Sequence, residues 1–507
     1  MIRPARPPQP ALGDLVAGIS VALVLIPQAL AYAELAGMPP EHGLFAAAIP
    51  LLVAAPLVSS PYLQTGPVAL TSVLAFGALS AVETPGSNHY VELAMLLALV
   101  VGVVRLAIGL ASAGVVAYLL SRPMLLGFIP AAAVFIVASQ LPAAFGAAPP
   151  DDGVIEQAAW TLAHPGDWSA TALAIAVLAA LAMIGGRRLH PLVPGVLVAV
   201  AAATLWSHLS GYTGARVGEL DVGLPPISVG LPWADALGLL VPGAIIALVG
   251  FAEPAAIARN FAAKDRLAWD ANREFVSQGA ANVAAGLTGG FPIGGSFSRS
   301  ALNRSAGART AWSGAITGLV VLLVLPVVFL LADLPSAVLA AIVIVSVAPL
   351  IRLRPILRVW RRSRPAASIA VGTFAATLAF APRIERGVLV GVGLSVAVHL
   401  WRELRVDTEA WVRHGVLHLR PHGVLWFGAV QVLEDVLVAE LVRHPDVGAM
   451  CLHLGSIGRL DITAALTLQS VIEQAEQAGV KVELTDVQVR DRRLVDGVVL
   501  ERRQRRA

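Results

Sequence analysis

The stretch GGFPIGGSFSRSALNRSAGART, residues 289–310, interrupts a chain that is otherwise rich in long apolar runs. Its first seven residues hold four glycines and one proline, a composition that does not form regular helix. The residues that follow can restart a helix, with Ser296 as the N-cap and Arg299 about one turn inside. The stretch therefore predicts a helix that begins abruptly and carries a permanent cation near its start.

The composition around this stretch is that of a membrane protein. Of 507 residues, 57% are hydrophobic and 14% charged, which is far less charge than a soluble protein of this length carries. Apolar runs of about 20 residues, such as 15–37 and 315–334, predict transmembrane helices in a lipid bilayer. The net charge of +3 is no reason to expect nucleic acid, because basic residues of membrane proteins collect in cytoplasmic loops.

The apolar windows predict about fourteen spans, centred near residues 24, 50, 74, 102, 134, 177, 201, 244, 281, 301, 321, 342, 373 and 394. With the N-terminus inside, the predicted outer loops hold three basic residues, Arg216, Arg383 and Arg386. The predicted inner loops hold far more, namely Arg122, Arg187, Arg188, Arg259, Lys264, Arg266, Arg273, Arg304, Arg309 and the run 352–364. This asymmetry predicts a multi-pass protein of the cytoplasmic (inner) membrane with both termini cytoplasmic.

Charge becomes dense after about residue 405, where the apolar spans stop. We therefore predict a transmembrane domain over 1–405 and a cytoplasmic domain over 406–507. In the second domain, strand patterns at 411–430, 447–456 and 480–487 alternate with helix patterns at 431–445 and 461–479. That alternation is typical of a small α/β domain.

A second interrupted helix lies in the first half of the chain. Residues 59–80 hold a polar stretch, then Gly66 and Pro67, then a short apolar helix in which Pro67 suits the first turn. Each break follows a helix that we expect to be broken by a proline. Gly66 lies 66 − 27 = 39 positions after Pro27, and Gly295 lies 295 − 254 = 41 positions after Pro254, so the two spacings are similar. Paired broken helices in the two halves indicate an inverted-repeat transporter with its site at the repeat interface.

The two breaks favour a negatively charged ligand. The N-terminus of each half-helix presents unpaired N–H groups and roughly half a positive charge. Arg299 adds a full charge that does not titrate. The competing interpretation is structural: Arg299 reaches an interface or pairs with Glu253, and the glycines serve packing.

Several motifs in order resemble the sulfate permease (SulP) family of anion transporters, which includes prestin and the plant sulfate transporters. They are DLVAGISVALVLIPQALAYAELAGMPPEHGLFAA (14–47), TGPVAL (65–70), FAEPAAIARNFA (251–262) and the opening stretch. The C-terminal α/β segment is similar to the STAS domain of that family. The resemblance covers nearly the whole chain.

The resemblance implies a fold of two seven-span inverted repeats. Spans one to four and eight to eleven would form a core domain that moves like an elevator past a gate domain of the other spans. It also implies a homodimer, and it leaves open a regulatory partner of the STAS-like domain. The helix breaks are Gly66, Pro67, Gly294 and Gly295, and the implied substrate-binding residues are Gln28, Tyr32, Val68, Ser296, Phe297, Ser298 and Arg299.

Glu253 is the candidate for coupling, because it lies just before Pro254 in an apolar segment. An ionised carboxylate in such a setting is costly and tends to take up a proton. We expect ionised Glu253 to oppose anion entry and protonated Glu253 to permit it. The resemblance supports proton coupling, since proton-coupled members are similar in having glutamate here; a permanent ion pair is the alternative.

The remaining polar residues predict no cofactor, no metal site and no enzyme. His42, His89, His164, His190, His208 and His399 lack metal-ligand spacing, and no nucleophile–base pair is found. Cys451 on a buried strand is expected to be inert packing. Thr463 matches a loop that is phosphorylated in related regulators, but Ala464 replaces the usual glycine, so Asp461 and Thr463 are expected to cap a helix.

We therefore predict a secondary active transporter of a small anion, coupled to protons. The anion could be a dicarboxylate, bicarbonate, sulfate or chloride. The alternatives are an uncoupled exchanger or channel, a nucleobase–proton symporter, and a membrane sensor with the STAS-like domain as its output. The nucleobase carriers have a carboxylate in the motif where this chain has Arg299, which disfavours them.

Overall fold

The computed structural model describes residues 11–118, 120–150, 153–189, 194–220, 223–403, 407–425, 430–460 and 462–497. The chain divides into two compact units between Leu394 and Ser395. The predicted domain boundary after residue 405 lies just beyond the end of α16 (Glu385–Glu403), the helix that crosses this division. Each unit is described by itself below.

The first unit is helical. Its first half contains α1 (Leu12–Leu35), α2 (Glu41–Ala54), α3 (Ala69–Leu79), α4 (Asn88–Leu110), α5 (Arg122–Phe145), α6 (Val154–Ala163), α7 (Ala170–Leu189) and α8 (Gly195–Ser210). Its second half contains α9 (Ala236–Asp265), α10 (Ala271–Leu287), α11 (Phe297–Ser305), α12 (Trp312–Val324), α13 (Ser336–Val347), α14 (Arg354–Arg362), α15 (Arg364–Ala379) and α16. Two short strands, β1 (Thr65–Gly66) and β2 (Gly294–Gly295), precede α3 and α11.

Every predicted span centre falls within one of these helices. Among the described residues, six helical segments are long and apolar enough to cross a membrane, and α2, α3, α7 and α8 are shorter apolar helices. Short helices suit a fold in which several of them start or stop inside the protein. The number of spans therefore stays a prediction, while the positions of the helices are confirmed.

The helices of the two halves pack in matching pairs. The contact between α2 and α12 corresponds to the contact between α10 and α4. In the same way, the contact between α1 and α12 corresponds to that between α9 and α4, and the contact between α5 and α15 to that between α13 and α7. Glycines allow the closest approaches: a Cβ at Gly127 of α5 would lie 2.0 Å from the Ala370 oxygen of α15. Such small residues at helix contacts are characteristic of membrane packing.

Three local expectations are wrong. Both α1 and α9 continue through Pro27 and Pro254, so these prolines do not break their helices. Pro67 precedes the start of α3 by two residues and is not in its first turn. The basic run at 352–364, predicted as a loop, contains α14, which buries Ile356 and places Arg361 and Arg362 in its last turn.

The second unit is the α/β structure that the sequence predicts. Its strands are β3 (Asp407–Arg413), β4 (Val416–Leu425), β5 (Ala449–His453), β6 (Ile457–Leu460) and β7 (Lys481–Thr485), and its helices are α17 (Val430–Arg443), α18 (Ile462–Gln477) and α19 (Val489–Val495). The sheet order is β3-β4-β5-β7, with β6 on β4 and all pairs parallel except β3 with β4. One sheet face packs into an apolar core that includes Leu417, Leu419, Met450, Leu452 and Leu468.

Two residues are expected to cap the start of α18. Thr463 is the second residue of α18, so it is inside the helix and is not its cap. Asp461, the other expected cap, lies outside the described residues.

Candidate functional site

The two interrupted helices meet at their breaks. Strands β1 and β2 are antiparallel, with Thr65 opposite Gly295 and Gly66 opposite Gly294. The pairing extends one residue further, because the Ser296 N–H donates to the Gln64 oxygen at 3.0 Å. The N-terminal ends of α3 and α11 therefore start from one buried point, as the sequence predicts.

Buried polar side chains hold this junction in place. Asn282 of α10 bonds both backbone groups of Ile293, accepting from its N–H at 2.9 Å and donating to its oxygen at 3.2 Å. Gln278 donates to the Thr65 hydroxyl at 2.7 Å. Because irregular backbone has no helix partners of its own, these bonds satisfy groups that burial would otherwise leave unpaired.

Arg105 of α4 supports the same junction and is fully buried. Its guanidinium donates to the carbonyl oxygens of Ala247 and Ile246 in α9 and of Ile293 just before β2. Arg105 is not among the residues predicted from the sequence. The signal was present, because an arginine in the middle of a long apolar span is rarely there without a structural or functional role.

The start of α11 has the predicted cap. Ser296 is the N-cap, and its hydroxyl accepts from the Arg299 N–H at 3.4 Å. The Ser298 hydroxyl lies 3.3 Å from that of Ser296. Ser296 is buried, whereas Phe297 and Ser298 are exposed on the first turn, so two of these three residues face open space.

Arg299 turns inward from α11 and is 1% exposed. One terminal nitrogen donates to the Gln28 side-chain oxygen of α1 at 3.2 Å, and the other donates to the Pro67 oxygen at 2.8 Å. Arg299 thus joins α1, the first break and the second break through one planar group. The alternative in which Arg299 points to a membrane interface is wrong.

Two donors at this point lack a protein partner. Among the described residues, neither Arg299 Nε nor Gln28 Nε2 has a hydrogen-bond acceptor, although both atoms are buried. Buried donors left unpaired cost about 1–3 kcal/mol each, and more for charged groups. Both can therefore gain by binding an acceptor, and an anion supplies the strongest kind.

A cavity of about 540 Å³ adjoins Arg299. Its lining includes Val24 of α1, Phe297 and Ser298 of α11, Met183 of α7 and Val196 of α8. Its volume is sufficient for a small solute with water.

Glu253 of α9 lies against the start of α11. Its Oε1 accepts from the Phe297 N–H at 3.2 Å, one of the first N–H groups of that helix. The charge of Arg299 acts on it electrostatically, but the two described side chains form no ion pair within 4.0 Å. Glu253 therefore occupies one of the N–H groups that the start of a helix otherwise offers to an anion.

The structure brings most of the predicted site residues together. Gln28 and Arg299 are in contact, and Val68 lies beside β2, 3.2 Å from the position of a Cβ on Gly294. Tyr32 is buried on α1, and Arg299 interacts with it electrostatically. Gln28, Tyr32, Val68 and Ser296 do not line the cavity described above, which is lined instead by Phe297, Ser298 and Arg299.

Comparison with known proteins gives the family. The model of the sulfate permease family matches residues 12–373, which is more than half of the chain. The chain belongs to the sulfate permease family. This chain is 37% identical to a probable sulfate transporter of Mycobacterium tuberculosis (MT1781). The match covers 76% of this chain and 69% of the length of the mycobacterial protein. Sulfate transporter 4.1, chloroplastic, of Arabidopsis thaliana is 33% identical over 84% of this chain and 66% of its own length.

Two solved structures are similar to this sulfate permease family member. Murine solute carrier 26 family member A9, an anion transporter in the inward-facing state, gives a TM-score of 0.89 at 21% identity, covering 98% of this chain and 89% of its own. The transmembrane domain of the cyanobacterial bicarbonate transporter BicA gives 0.63 at 26% identity, covering 76% of this chain and 97% of its own. The fold is that of these carriers, and membership in a family of transporters confirms that the chain is not an enzyme.

Proposed function

We propose that this protein is a secondary active transporter that carries one small anion together with a proton across the cytoplasmic membrane. The observation that carries the proposal is the buried guanidinium of Arg299 at the start of α11, next to the cavity. Its Nε and the neighbouring Gln28 Nε2 are buried donors without an acceptor among the described residues. Two adjoining helix N-termini add to the positive potential of this point.

The chemistry of the site favours an anion as substrate but does not distinguish one small anion from another. Arg299 Nε and Gln28 Nε2 offer donors without an acceptor among the described residues, and the exposed Ser298 adds a hydroxyl on the cavity wall. Sulfate, bicarbonate, chloride and a small dicarboxylate all accept several such hydrogen bonds. The names of the relatives point to sulfate and to bicarbonate, and they support the class of substrate.

The position of Glu253 supports coupling to protons. When ionised, its carboxylate holds the Phe297 N–H and adds negative charge beside Arg299, so it competes with an incoming anion. When protonated, it is a weaker acceptor and carries no charge, which frees the helix start for the substrate. Anion binding and protonation then favour each other, as symport of the two requires.

The test of coupling is Glu253→Gln in proteoliposomes. We expect the variant to exchange labelled anion across the membrane but to lose uphill uptake driven by an inward proton gradient. Glu92→Gln is the matched control, because Glu92 is an exposed carboxylate on α4, away from the cavity. Gradient-driven uptake that persists in Glu253→Gln would contradict proton coupling through this residue, and would favour another carrier group or uncoupled exchange.

The test of substrate class is a panel of labelled anions, namely sulfate, bicarbonate, chloride and succinate, with uracil as a neutral comparison. We expect saturable uptake of one or more anions and none of uracil. Uptake of uracil without any anion would contradict the proposal and favour the nucleobase alternative.

We also propose a division of the helices into a moving core and a fixed gate. The core would be α1–α4 and α9–α12, and the gate α5, α7, α8, α13, α15 and α16, arranged as two inverted repeats. The matching helix pairs and the cavity between α1, α11 and the pair α7 and α8 support it. A homodimer, a STAS-type regulatory role of the second unit and cytoplasmic termini belong to the same proposal.

A further inference from the structure

We propose that the second unit holds a zinc site formed by His418, Cys451 and His453. The register of the sheet puts His418 of β4 directly opposite Cys451 of β5, and His453 lies two residues further along β5. Residues two apart on a strand share a face, so all three side chains project from the same side of the sheet. Their ligand atoms all lie within 4.8 Å of one another.

The two imidazoles are spaced as metal ligands are. His418 Nδ1 lies 3.1 Å from His453 Nε2. Two nitrogens on a tetrahedral zinc, each bonded at about 2.0–2.1 Å, lie roughly 3.3 Å apart, so an ion needs only a small opening of this pair. Without metal, the Nδ1–H of His418 fills the space between the nitrogens; on zinc binding that proton moves to Nε2 of the same ring, and the Cys451 thiol proton passes to solvent.

The surroundings of His453 leave the correct nitrogen free for metal. Its Nδ1 lies 2.9 Å from the Thr485 hydroxyl and 3.3 Å from Asp486 Oδ2, and both atoms can accept its N–H. This fixes the tautomer in which Nε2 carries a lone pair toward His418. A carboxylate behind a ligating histidine is the usual outer partner of zinc ligands.

Thr485 also serves the thiol. Its hydroxyl lies 3.4 Å from Cys451 Sγ and can donate to a thiolate while it accepts from His453. Cys451 is 8% exposed, and the opposite face of β5 is committed to the apolar core through Met450 and Leu452. The thiol is therefore held within a polar cluster and is not part of the core packing.

An aromatic ring fixes both histidines. The Trp411 ring on β3 stacks against His418 at a centroid distance of 5.2 Å and against His453 at 5.5 Å. The Arg420 guanidinium lies 5.1 Å from the centroid of the same ring. The histidine rings therefore need little reordering when metal binds, which lowers the entropy cost of forming the site.

The ligand types select the metal. Two imidazoles and one thiolate suit a borderline-soft ion such as Zn²⁺ and do not suit Mg²⁺ or Ca²⁺, which take oxygen ligands. The fourth position is left for water or for Glu483, which pairs with Cys451 in the register of β5 and β7. A bound ion would link β4 to β5 on the face opposite the core.

The experiment is titration of the full-length, tag-free protein in detergent with Co²⁺ alone, followed by Zn²⁺. The chain has one cysteine, so a thiolate-to-cobalt charge-transfer band reports Cys451 without any variant. We expect one Co²⁺ per chain with this band, displacement by one equivalent of Zn²⁺, and protection of Cys451 from a maleimide by Zn²⁺. Cys451→Ser should abolish the band, and His453→Gln should weaken Co²⁺ binding at least tenfold.

His444→Gln is the matched control, because His444 is an exposed histidine of the same unit that is not in the cluster. The His444→Gln variant should bind Co²⁺ as tightly as the parent protein does. Absence of the charge-transfer band in the parent protein, together with unchanged maleimide reactivity in Zn²⁺, would overturn the proposal. The cobalt spectrum and the maleimide assay are both measured on the unmodified chain, so the result holds even if a variant fails to fold.

Discussion

At the scale of single residues, the position of Arg299 distinguishes a binding group from a structural one. The two terminal nitrogens of Arg299 hold Gln28 and Pro67, while Nε is left without an acceptor among the described residues. Arg304 on the same helix also leaves one buried nitrogen, Nη1, without an acceptor among the described residues, but only Arg299 of the two lines the cavity. The Arg299 fork is thus oriented by the protein and still incomplete, as expected of a preorganised site.

Arg299→Gln tests this interpretation directly. We expect it to weaken anion binding by roughly 10- to 150-fold, the equivalent of one charge-assisted hydrogen bond of about 1.5–3 kcal/mol. Arg299→Lys should bind with intermediate affinity, because an ammonium keeps the charge but loses the planar fork. The measurement is saturation binding of the anion selected by the panel.

The control for this series is Arg304→Gln on the same helix. Arg304 pairs with Asp265 and lies over the Tyr62 and Phe261 rings, away from Gln28 and Pro67. It should lower stability without a comparable loss of anion affinity. Equal losses in both variants would show that charge on α11, rather than the geometry at 299, determines binding.

Residue-level prediction succeeded where a residue stood in an unusual local sequence. Ser296 and Arg299 follow a glycine-rich break, and that pattern is visible in the chain alone. His418 gives no such signal, because strand register brings it to Cys451 from 33 positions away, whereas His453 stands two positions from Cys451 on the same strand. Sequence spacing does not contain that register.

At the scale of elements, the junction of β1 and β2 depends on backbone that most residues cannot adopt. Gly66 has φ of +143°, and a Cβ there would lie 3.3 Å from Leu51 Cδ1 and 3.5 Å from Arg299 Nη2. Gly66→Ala should therefore cost about 1–3 kcal/mol of stability through backbone strain. Because Arg299 Nη2 donates to the oxygen of the adjacent Pro67, a shift of the strained backbone should also move Arg299 and weaken anion binding; thermal unfolding measures the first effect and a binding assay the second.

Gly86→Ala is the control that separates the effect of backbone strain on stability from the effect of the junction on the position of Arg299. Gly86 also has a positive φ, +80°, but it is exposed, and a Cβ there would meet no atom within 4 Å. We expect a loss of stability with anion affinity unchanged. If Gly66→Ala behaves in the same way, the junction does not position Arg299 as inferred here.

Element prediction was accurate for helix starts and poor for prolines. Glycine runs and a serine cap determine where α11 begins, because they act on the few N–H groups of the first turn. Pro27 and Pro254 remove one hydrogen bond each, and α1 and α9 resume helical bonding around them because neighbouring helices enclose the gap. A sequence does not reveal that enclosure.

At the scale of the whole molecule, the two units have separate cores, so the first should transport without the second. We expect a chain ending at residue 403 to retain anion uptake in proteoliposomes, with a changed rate if the second unit regulates it. The transmembrane domain of BicA, solved by itself, has the fold of this unit. Complete loss of uptake in a truncated chain that is folded in detergent would favour the sensor alternative.

The moving-core proposal makes a separate prediction about α1 and α8, which contact each other and both line the cavity. In a Cys451→Ser background, Val24→Cys with Val196→Cys should allow a cleavable bis-maleimide to join the two helices and stop uptake. Each single-cysteine variant treated with the same reagent is the control and should keep most of its activity. Because an elevator requires α1 to slide past α8, cleavage of the linker should restore uptake, whereas full transport by the joined protein would mean that these helices move as one body.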